Sequence, residues 1–417
     1  MHAVLSSIGT DGDVFPYIGL ADALRRRGHR VTLAAADRYQ KTASELDLEF
    51  VSMFTESEMI EVLSNPRMWS PLFGPPLMAK WGGQFLARQY KLLDEACGDD
   101  SVIVASPGLL PARTLQDKRN LPLVSLVLQP WMIKSSIAPP IMPAKLTLPP
   151  GLPKPIGALY WRFFNLIGDV LTGAQLNRLR KSLDLPKVKH VFEWWLSPDL
   201  ILGTFPDWYA PPQTDWDSNI ELCGFPLFDG RADRILPPET EAFCKAGAPP
   251  IAFTFGTGMM HAQRLFAMAV DACQSAGLRA ILLTSHATQL PARLPDSIHR
   301  CAYAPFGELF PLCAAVVHHG GIGTTAKAFA AGVPQLIVPF AYDQLDNGTR
   351  VRSLGAGSFI KPTRLTVHRL ADTVRLIQNQ ATIARCRELA ARTAQTDALK
   401  MASEKIELLW ESRSTRR

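Results

Sequence analysis

Ala315-Val316-Val317-His318-His319-Gly320-Gly321-Ile322-Gly323-Thr324-Thr325 is the stretch from which the fold can be read. Its apolar start, Ala315–His318, reads as a buried strand, its glycines as a tight turn, and Thr324–Ala331 as a helix. Gln335–Val338 supplies the next strand. Strand, glycine turn, helix and strand make one βαβ unit, which implies a parallel sheet covered by helices. A glycine turn lets the backbone approach a diphosphate closely. The helix N-terminus behind it offers free N–H groups and a positive dipole end. Thr324 and Thr325 add hydroxyl donors, and His319 adds an imidazole N–H. The spacing is neither a dinucleotide fingerprint nor a P-loop, because no G-K-[ST] follows. A plain helix cap with one solvated histidine is the blander reading, and two histidines closing a buried strand argue against it.

The same grammar recurs along the chain. His2–Ser7 runs into Gly9-Thr10-Asp11-Gly12-Asp13, a helix over Pro16–Arg27 closed by Gly28, and a strand at Val31–Ala35. Ser101–Ala105, Leu121–Leu128 and Asp199–Gly203 are further strands. The pattern restarts at Ile251–Phe255 with the turn Gly256-Thr257-Gly258, a helix near Ala262–Ala276 and a strand at Arg279–Thr284. Two doubly wound α/β halves result: a first domain over 1–228 and a second over 249–395. The proline- and charge-rich segment 229–248 links them. Residues 396–417 form a terminal helix long enough to cross back onto the first domain.

Bulk composition narrows the class. The 417 residues are 47% hydrophobic and 20% charged, so the chain is globular and long enough for two cores. A net charge of +6 is scattered, apart from Arg25-Arg26-Arg27 and Arg416-Arg417, and singles out no nucleic-acid partner. Seven widely spaced cysteines without a C-x-x-C argue against a disulfide framework and a zinc site, and fit a reducing cytoplasm. No window is apolar enough to span a bilayer, so any membrane contact at the inner face is expected to be peripheral. Nothing calls for an obligate protein partner. Pro130–Pro155 holds eight prolines among apolar side chains. With the aromatic run that follows, it reads as an ordered wall facing an apolar acceptor, through Trp131, Ile137 and Phe164, or else as core packing.

His318–Thr325, with Gly332-Val333-Pro334-Gln335, Pro339, Asp343-Gln344 and Asn347, resembles the donor signature of the inverting UDP-glycosyltransferase-like family. That family has the GT-B fold, two Rossmann-like domains facing across a cleft. Within it, Gly12–Leu20, Asn65–Trp69, Phe205–Trp216, Gly224–Gly230 and Tyr303–Asn347 look most like rhamnolipid-forming rhamnosyltransferases. The resemblance implies that His319, Gly321, Gly323, Thr324 and Thr325 hold the diphosphate, with Gly256 and Thr257 adding contacts. It implies sugar binding by Asp343 and Gln344, and a nucleobase bordered by Tyr303 and Phe306. Two positions depart from plant members: Tyr303 stands for a tryptophan, and Lys327 for the glutamate that reads the ribose.

Asp13 is the expected general base. It ends the first glycine turn, at the carboxyl edge of a parallel sheet, where side chains project into the cleft. Plant relatives carry histidine there and many bacterial ones aspartate. Capping the following helix is its alternative role. Asp11-Gly12-Asp13 and Asp215-Trp216-Asp217 spell D-x-D, but neither brings a third oxygen ligand, so no metal is expected. His190, His261 and His286 are expected to be structural or surface residues.

The resulting expectation is a cofactor-free, inverting transferase. It would move L-rhamnose from dTDP-L-rhamnose to a hydroxyacyl lipid, as in mono-rhamnolipid synthesis. UDP-glucose with a lipid or aromatic acceptor is the second reading. A nucleotide-sugar epimerase and a non-catalytic sugar-nucleotide sensor are the rivals, and an acceptor cavity beside Asp13 together with a base there would count against them.

Overall fold

A computed structural model describes residues 1–142, 146–149, 151–230 and 235–414. Short parts of the proline-rich segment and of the linker, and the basic Arg416-Arg417 end, lie outside the described residues.

Two all-parallel sheets organise the chain. The first contains β1 (His2–Ser6), β2 (Arg30–Ala36), β3 (Glu49–Phe54), β4 (Ser101–Ala105), β5 (Leu123–Val127), β6 (Leu200–Gly203) and β7 (Ile220–Leu222). Their spatial order is β3-β2-β1-β4-β5-β6-β7. The second contains β8 (Ile251–Thr254), β9 (Ala280–Leu283), β10 (Ile298–Cys301), β11 (Ala315–His318), β12 (Gln335–Ile337) and β13 (Gly357–Phe359), in the order β10-β9-β8-β11-β12-β13. In each sheet the chain reverses direction beside the first strand, β1 or β8. Crevices for ligands open at such switch points, outside the carboxyl ends of the strands. Central strands are buried on both faces and read as unbroken apolar runs, so the sequence displays them. The strands not expected from sequence, β3, β7, β10 and β13, include all four sheet edges. They are short or polar, and pairing rather than pattern makes them strands.

Helix α1 spans Asp11–Arg26, five residues earlier than expected, and carries Pro16 inside. Reciprocal capping between Thr10 and Asp13 fixes the early start. Further along come α2 (Lys154–Gly168), α3 (Ile322–Ala331), α4 (Gln344–Ser353) and α5 (Ala398–Ser414). Helix α3 begins at Ile322 with Gly321 as its N-cap and ends in Gly332 at φ +68°.

Helix α5 crosses back to the first domain. Glu407 accepts from Arg27 at 2.7 and 2.6 Å and pairs with His29, while the Trp410 indole donates to Asp100 O at 3.1 Å. Ile406 is fully buried in the first domain's core. Other ties cross the cleft. The Phe228 ring packs edge-on against Phe15 of α1, and its neighbour Asp229 pairs with Lys327 of α3. The Ile141 N–H donates to Asp346 Oδ1 at 2.7 Å, which fastens the proline-rich segment to α4.

If α5 helps hold the first domain together, Ile406→Ala removes buried packing and costs about 2–5 kcal/mol. Leu408→Ala, on the exposed side of the same helix, changes stability by less than about 0.5 kcal/mol. Urea unfolding of both variants measures the difference, and equal losses would show that α5 is not anchored by its buried face.

Candidate active site in the interdomain cleft

Three glycine turns converge where the domains meet. The α1 turn comes from the first domain; the β8 turn, Gly256–Gly258, and the β11 turn, Gly320–Gly323, come from the second. A Cβ on Gly323 would stand 3.4 Å from Gly12 Cα, and one on Gly258 would stand 2.8 Å from Thr10 Cγ2. The N-termini of α1 and α3 therefore face each other at close range.

His319 sits between two of these glycines. A Cβ on Gly256 would come within 2.8 Å of the imidazole, and one on Gly321 within 2.5 Å. Gly256 also holds φ at +91°, which a side chain would strain. Burial pushes the His319 pKa down to about 4, so the ring is neutral at physiological pH. Its Nδ1 is buried and has no hydrogen-bond partner among the described residues. A buried polar atom left open in this way fits a ligand contact.

His318 has a different job. It is fully buried, accepts from Gly320 N at Nδ1 (3.2 Å) and thereby turns its other nitrogen, as donor, to Gln335 Oε1 (3.1 Å). Burial holds its pKa at about 3. Of the two histidines, one braces the turn and the other keeps a buried ring nitrogen without a partner among the described residues. Within the turn, Ile322, Gly323 and Thr324 present the first N–H groups of α3, which have no intrahelical acceptor. Thr325 corrects the sequence expectation. Its side chain is buried and its hydroxyl donates to Gly321 O at 3.0 Å, so that donor is already used inside the helix. Thr324, just past the β11 turn, is half-buried, and Thr257, in the middle of the β8 turn, is exposed.

Asp13 lies at the first turn of α1. Its Oδ2 accepts from the Thr10 N–H at 3.0 Å and the Thr10 hydroxyl at 3.3 Å. It is thus a capping residue and a cleft carboxylate at once. Burial raises its pKa to about 6, against the lowering effect of the two Thr10 bonds. Asp343 rises further, to about 7, through burial and then repulsion from Asp13, although Asn347 donates to its Oδ2 at 2.6 Å. The Asp13 carboxylate of one domain is thus close enough to act on Asp343 of the other across the cleft. Gln344 is partly committed: its Oε1 accepts from the N–H groups of Phe340 (2.7 Å) and Ala341 (3.1 Å).

At the cleft's outer end, Tyr303 is exposed and its hydroxyl donates to Asp229 O at 3.3 Å. Phe306 stacks on Phe310 at 4.4 Å, so part of its ring is spent on packing. Lys327 donates to Phe228 O at 3.0 Å and pairs with the Asp229 carboxylate, which also accepts from Gly307 N at 3.0 Å. A carboxylate thus does reach this position, from the linker rather than from α3.

The three acceptor candidates separate. Trp131 is half-buried with an indole N–H that has no partner among the described residues. Phe164 is buried in an aromatic cluster with Tyr160 and Trp161. Ile137 is half exposed on the outer surface. Both D-x-D segments are engaged by protein groups. Asp11 accepts from Arg38 and Tyr39. Asp215 accepts from Ser135 and Ser136 and anchors the proline-rich segment. Among the described residues no three His, Cys, Asp or Glu side chains cluster as a metal site would require.

Trp69 and Tyr342 were not singled out from sequence. Their rings meet edge-on at 6.4 Å, the Tyr342 hydroxyl donates to Met68 O at 2.9 Å, and Tyr342 holds φ at +56°. A bulky residue in the left-handed region is strained and needs surrounding structure to hold it. The rare conformation is invisible in a sequence, although Tyr342 stands next to the Asp343-Gln344 pair.

Comparison with known proteins agrees with this architecture. Residues 3–97 match the glycosyltransferase family 28 N-terminal domain, and residues 277–407 match the C-terminal domain of erythromycin biosynthesis protein CIII-like proteins. The O-mycaminosyltylonolide 6-deoxyallosyltransferase of Streptomyces fradiae is 28% identical over 100% of this chain and 99% of its own. Glycosyltransferase GtfE of Amycolatopsis orientalis is 30% identical over 86% of this chain and 85% of its own. The sterol 3-beta-glucosyltransferase UGT80A2 of Arabidopsis thaliana is 27% identical over 90% of this chain and 60% of its own. Among solved structures, the calicheamicin glycosyltransferase CalG4 superposes with a TM-score of 0.73 at 19% identity, covering 98% of both chains. The spinosyn rhamnosyltransferase SpnG, solved with thymidine diphosphate, gives 0.68 at 18% identity over 98% of this chain and 100% of its own. Two facing Rossmann-like domains, and 30% identity to GtfE over most of both chains, lead to one conclusion: this chain belongs to the GT-B glycosyltransferases.

Proposed function

We propose that this glycosyltransferase is an inverting, metal-independent enzyme with Asp13 as its general base. The observation that carries the reading is a buried carboxylate of one domain set opposite the helix N-terminus and neutral imidazole of the other. The acceptor hydroxyl attacks the anomeric carbon while Asp13 takes its proton, and the bond from that carbon to the diphosphate breaks on the opposite face. Charge that develops on the diphosphate meets the α3 N–H groups and the His319 ring, which are already in place and need little reorganisation. Asp343 and the free end of Gln344 are assigned to sugar hydroxyls, and Tyr303 with Phe306 to the border of the base.

The favoured donor is dTDP-L-rhamnose and the favoured acceptor a hydroxyacyl lipid, giving a mono-rhamnolipid type of product. The chain's likeness to a thymidine-diphosphate-bound rhamnosyltransferase supports the donor, and the Trp131 region supports an apolar acceptor. UDP-glucose with a lipid acceptor is the second reading, favoured by the likeness to a sterol glucosyltransferase. All seven cysteines are free and buried, which supports a reducing compartment.

Purified protein with chelator, offered each donor and a hydroxyacyl lipid, decides by mass spectrometry. A singly glycosylated product identifies the donor, whereas product only after divalent metal is added overturns the metal-free mechanism. Asp13→Asn is expected to cut kcat by at least about a hundredfold while nucleotide affinity stays unchanged. Near-normal turnover in that variant would remove Asp13 as base. Because a base must be ionised, kcat/KM is expected to fall as pH drops through about 6 and to level off above it. A limb near the ordinary aspartate value would contradict the burial argument. Gly321→Ala is expected to displace the His319 ring and weaken diphosphate binding as much as His319→Ala does, which calorimetry with the free nucleotide can measure.

A further inference from the structure

Helix α2 carries a row of apolar side chains that no described residue covers. Ile156, Leu159, Phe163, Leu166 and, in the π-turn that continues the helix, Val170 are 47%, 66%, 52%, 59% and 73% exposed. Their spacing of three and four residues puts them on one face. Proline-rich residues Ile137 and Leu146 add to the apolar exposure near the start of α2, where the Tyr160 hydroxyl donates to Leu146 O at 2.7 Å. A contiguous apolar strip of this kind is unusual on a soluble surface and marks an interaction site.

The row runs directly into positive charge. One turn beyond Val170, the same helical stretch shares a shallow depression with Arg178, Lys181, Lys187 and Lys189. Between residues 154 and 189 there are seven Lys or Arg and only two Asp, with no Glu. One of the seven, Arg180, is buried against Asp117. Arg162, Arg178, Lys181, Lys187 and Lys189 are exposed, and none forms an ion pair among the described residues. An apolar row flanked by unpaired cations matches a surface of lipid chains under anionic headgroups.

We propose that this face docks on an anionic membrane, with the α2 row entering the headgroup boundary and the basic group lying on lipid phosphates. Its use would be to take the acceptor from the bilayer, and that part rests on the apolar acceptor proposed above. The docking itself does not, because the exposed apolar row and the basic group are present whatever the acceptor. No helix among the described residues is long and apolar enough to cross a membrane, so contact through this structure would be interfacial.

Co-sedimentation of the full chain with acceptor-free vesicles tests the proposal. One set is phosphatidylcholine alone and the other phosphatidylcholine with phosphatidylglycerol. Binding is expected only to the anionic set, and to weaken as salt rises. Leu159→Glu with Val170→Glu, and separately Lys181→Glu with Lys187→Glu, are each expected to lower the bound fraction at least about tenfold. Turnover of a short water-soluble acceptor should be unchanged in both, which shows that they are folded. Undiminished binding in both variants overturns the proposal. So does a wild-type dimer, seen by light scattering, that Leu159→Glu with Val170→Glu dissolves while the wild type ignores vesicles; the row would then bind a second copy of the chain. Vesicle binding without transfer to any lipid acceptor would sink the acceptor assignment and leave the docking surface standing.

Discussion

The close approach of two helix N-termini governs this molecule. Helices α1 and α3 come from different domains, yet their first turns meet at Gly12 and Gly323, where a Cβ added to Gly323 would already stand in van der Waals contact with Gly12. Both ends carry partial positive charge, so bringing them together is unfavourable unless negative groups lie between them. Asp13 and Asp343 supply part of that charge, and a bound diphosphate would supply more. The two helix ends thus favour the anion proposed for this cleft before any individual side chain is assigned a role.

Placing two carboxylates in one buried cleft has a cost, visible in their raised pKa values of about 6 and about 7. The same burial suits the base role proposed for Asp13. An aspartate at its ordinary value is a weak base, while burial brings Asp13 closer to the operating range of a proton acceptor. Its two bonds from Thr10 fix the carboxylate's orientation and leave Oδ1 without a partner in the turn. Capping and catalysis are therefore compatible roles for this side chain, since one oxygen can serve the helix and the other the acceptor.

The interdomain ties surround the cleft. Phe228 and Asp229 are consecutive, yet the first packs on α1 and the second grips α3 through Lys327. The proline-rich segment reaches Asp346, one turn along α4 from Asp343, so the wall expected to face the acceptor is fastened beside the residue assigned to the sugar. Any domain movement that opens the cleft must strain or release these contacts. The surfaces proposed for acceptor and donor share these contacts for that reason.

The sequence by itself determined the local grammar: apolar runs for strands buried on both faces, glycine turns after them, and the residues that end those turns. This was enough for two parallel-sheet domains, for Asp13 and His319 as the polar groups at their edges, and for a helix returning from the second domain. It could not show the edge strands, whose pairing partners lie far away in the chain, or the α1 start, which reciprocal capping decides. Only the tertiary structure separated His318 from His319, because neutrality and hydrogen bonding depend on what surrounds each ring. It also turned the Thr325 hydroxyl inward, set Tyr342 in a left-handed conformation against Trp69, and brought a linker carboxylate to Lys327. Each of these is a relation between distant segments, and burial and distance exist only once those segments have packed.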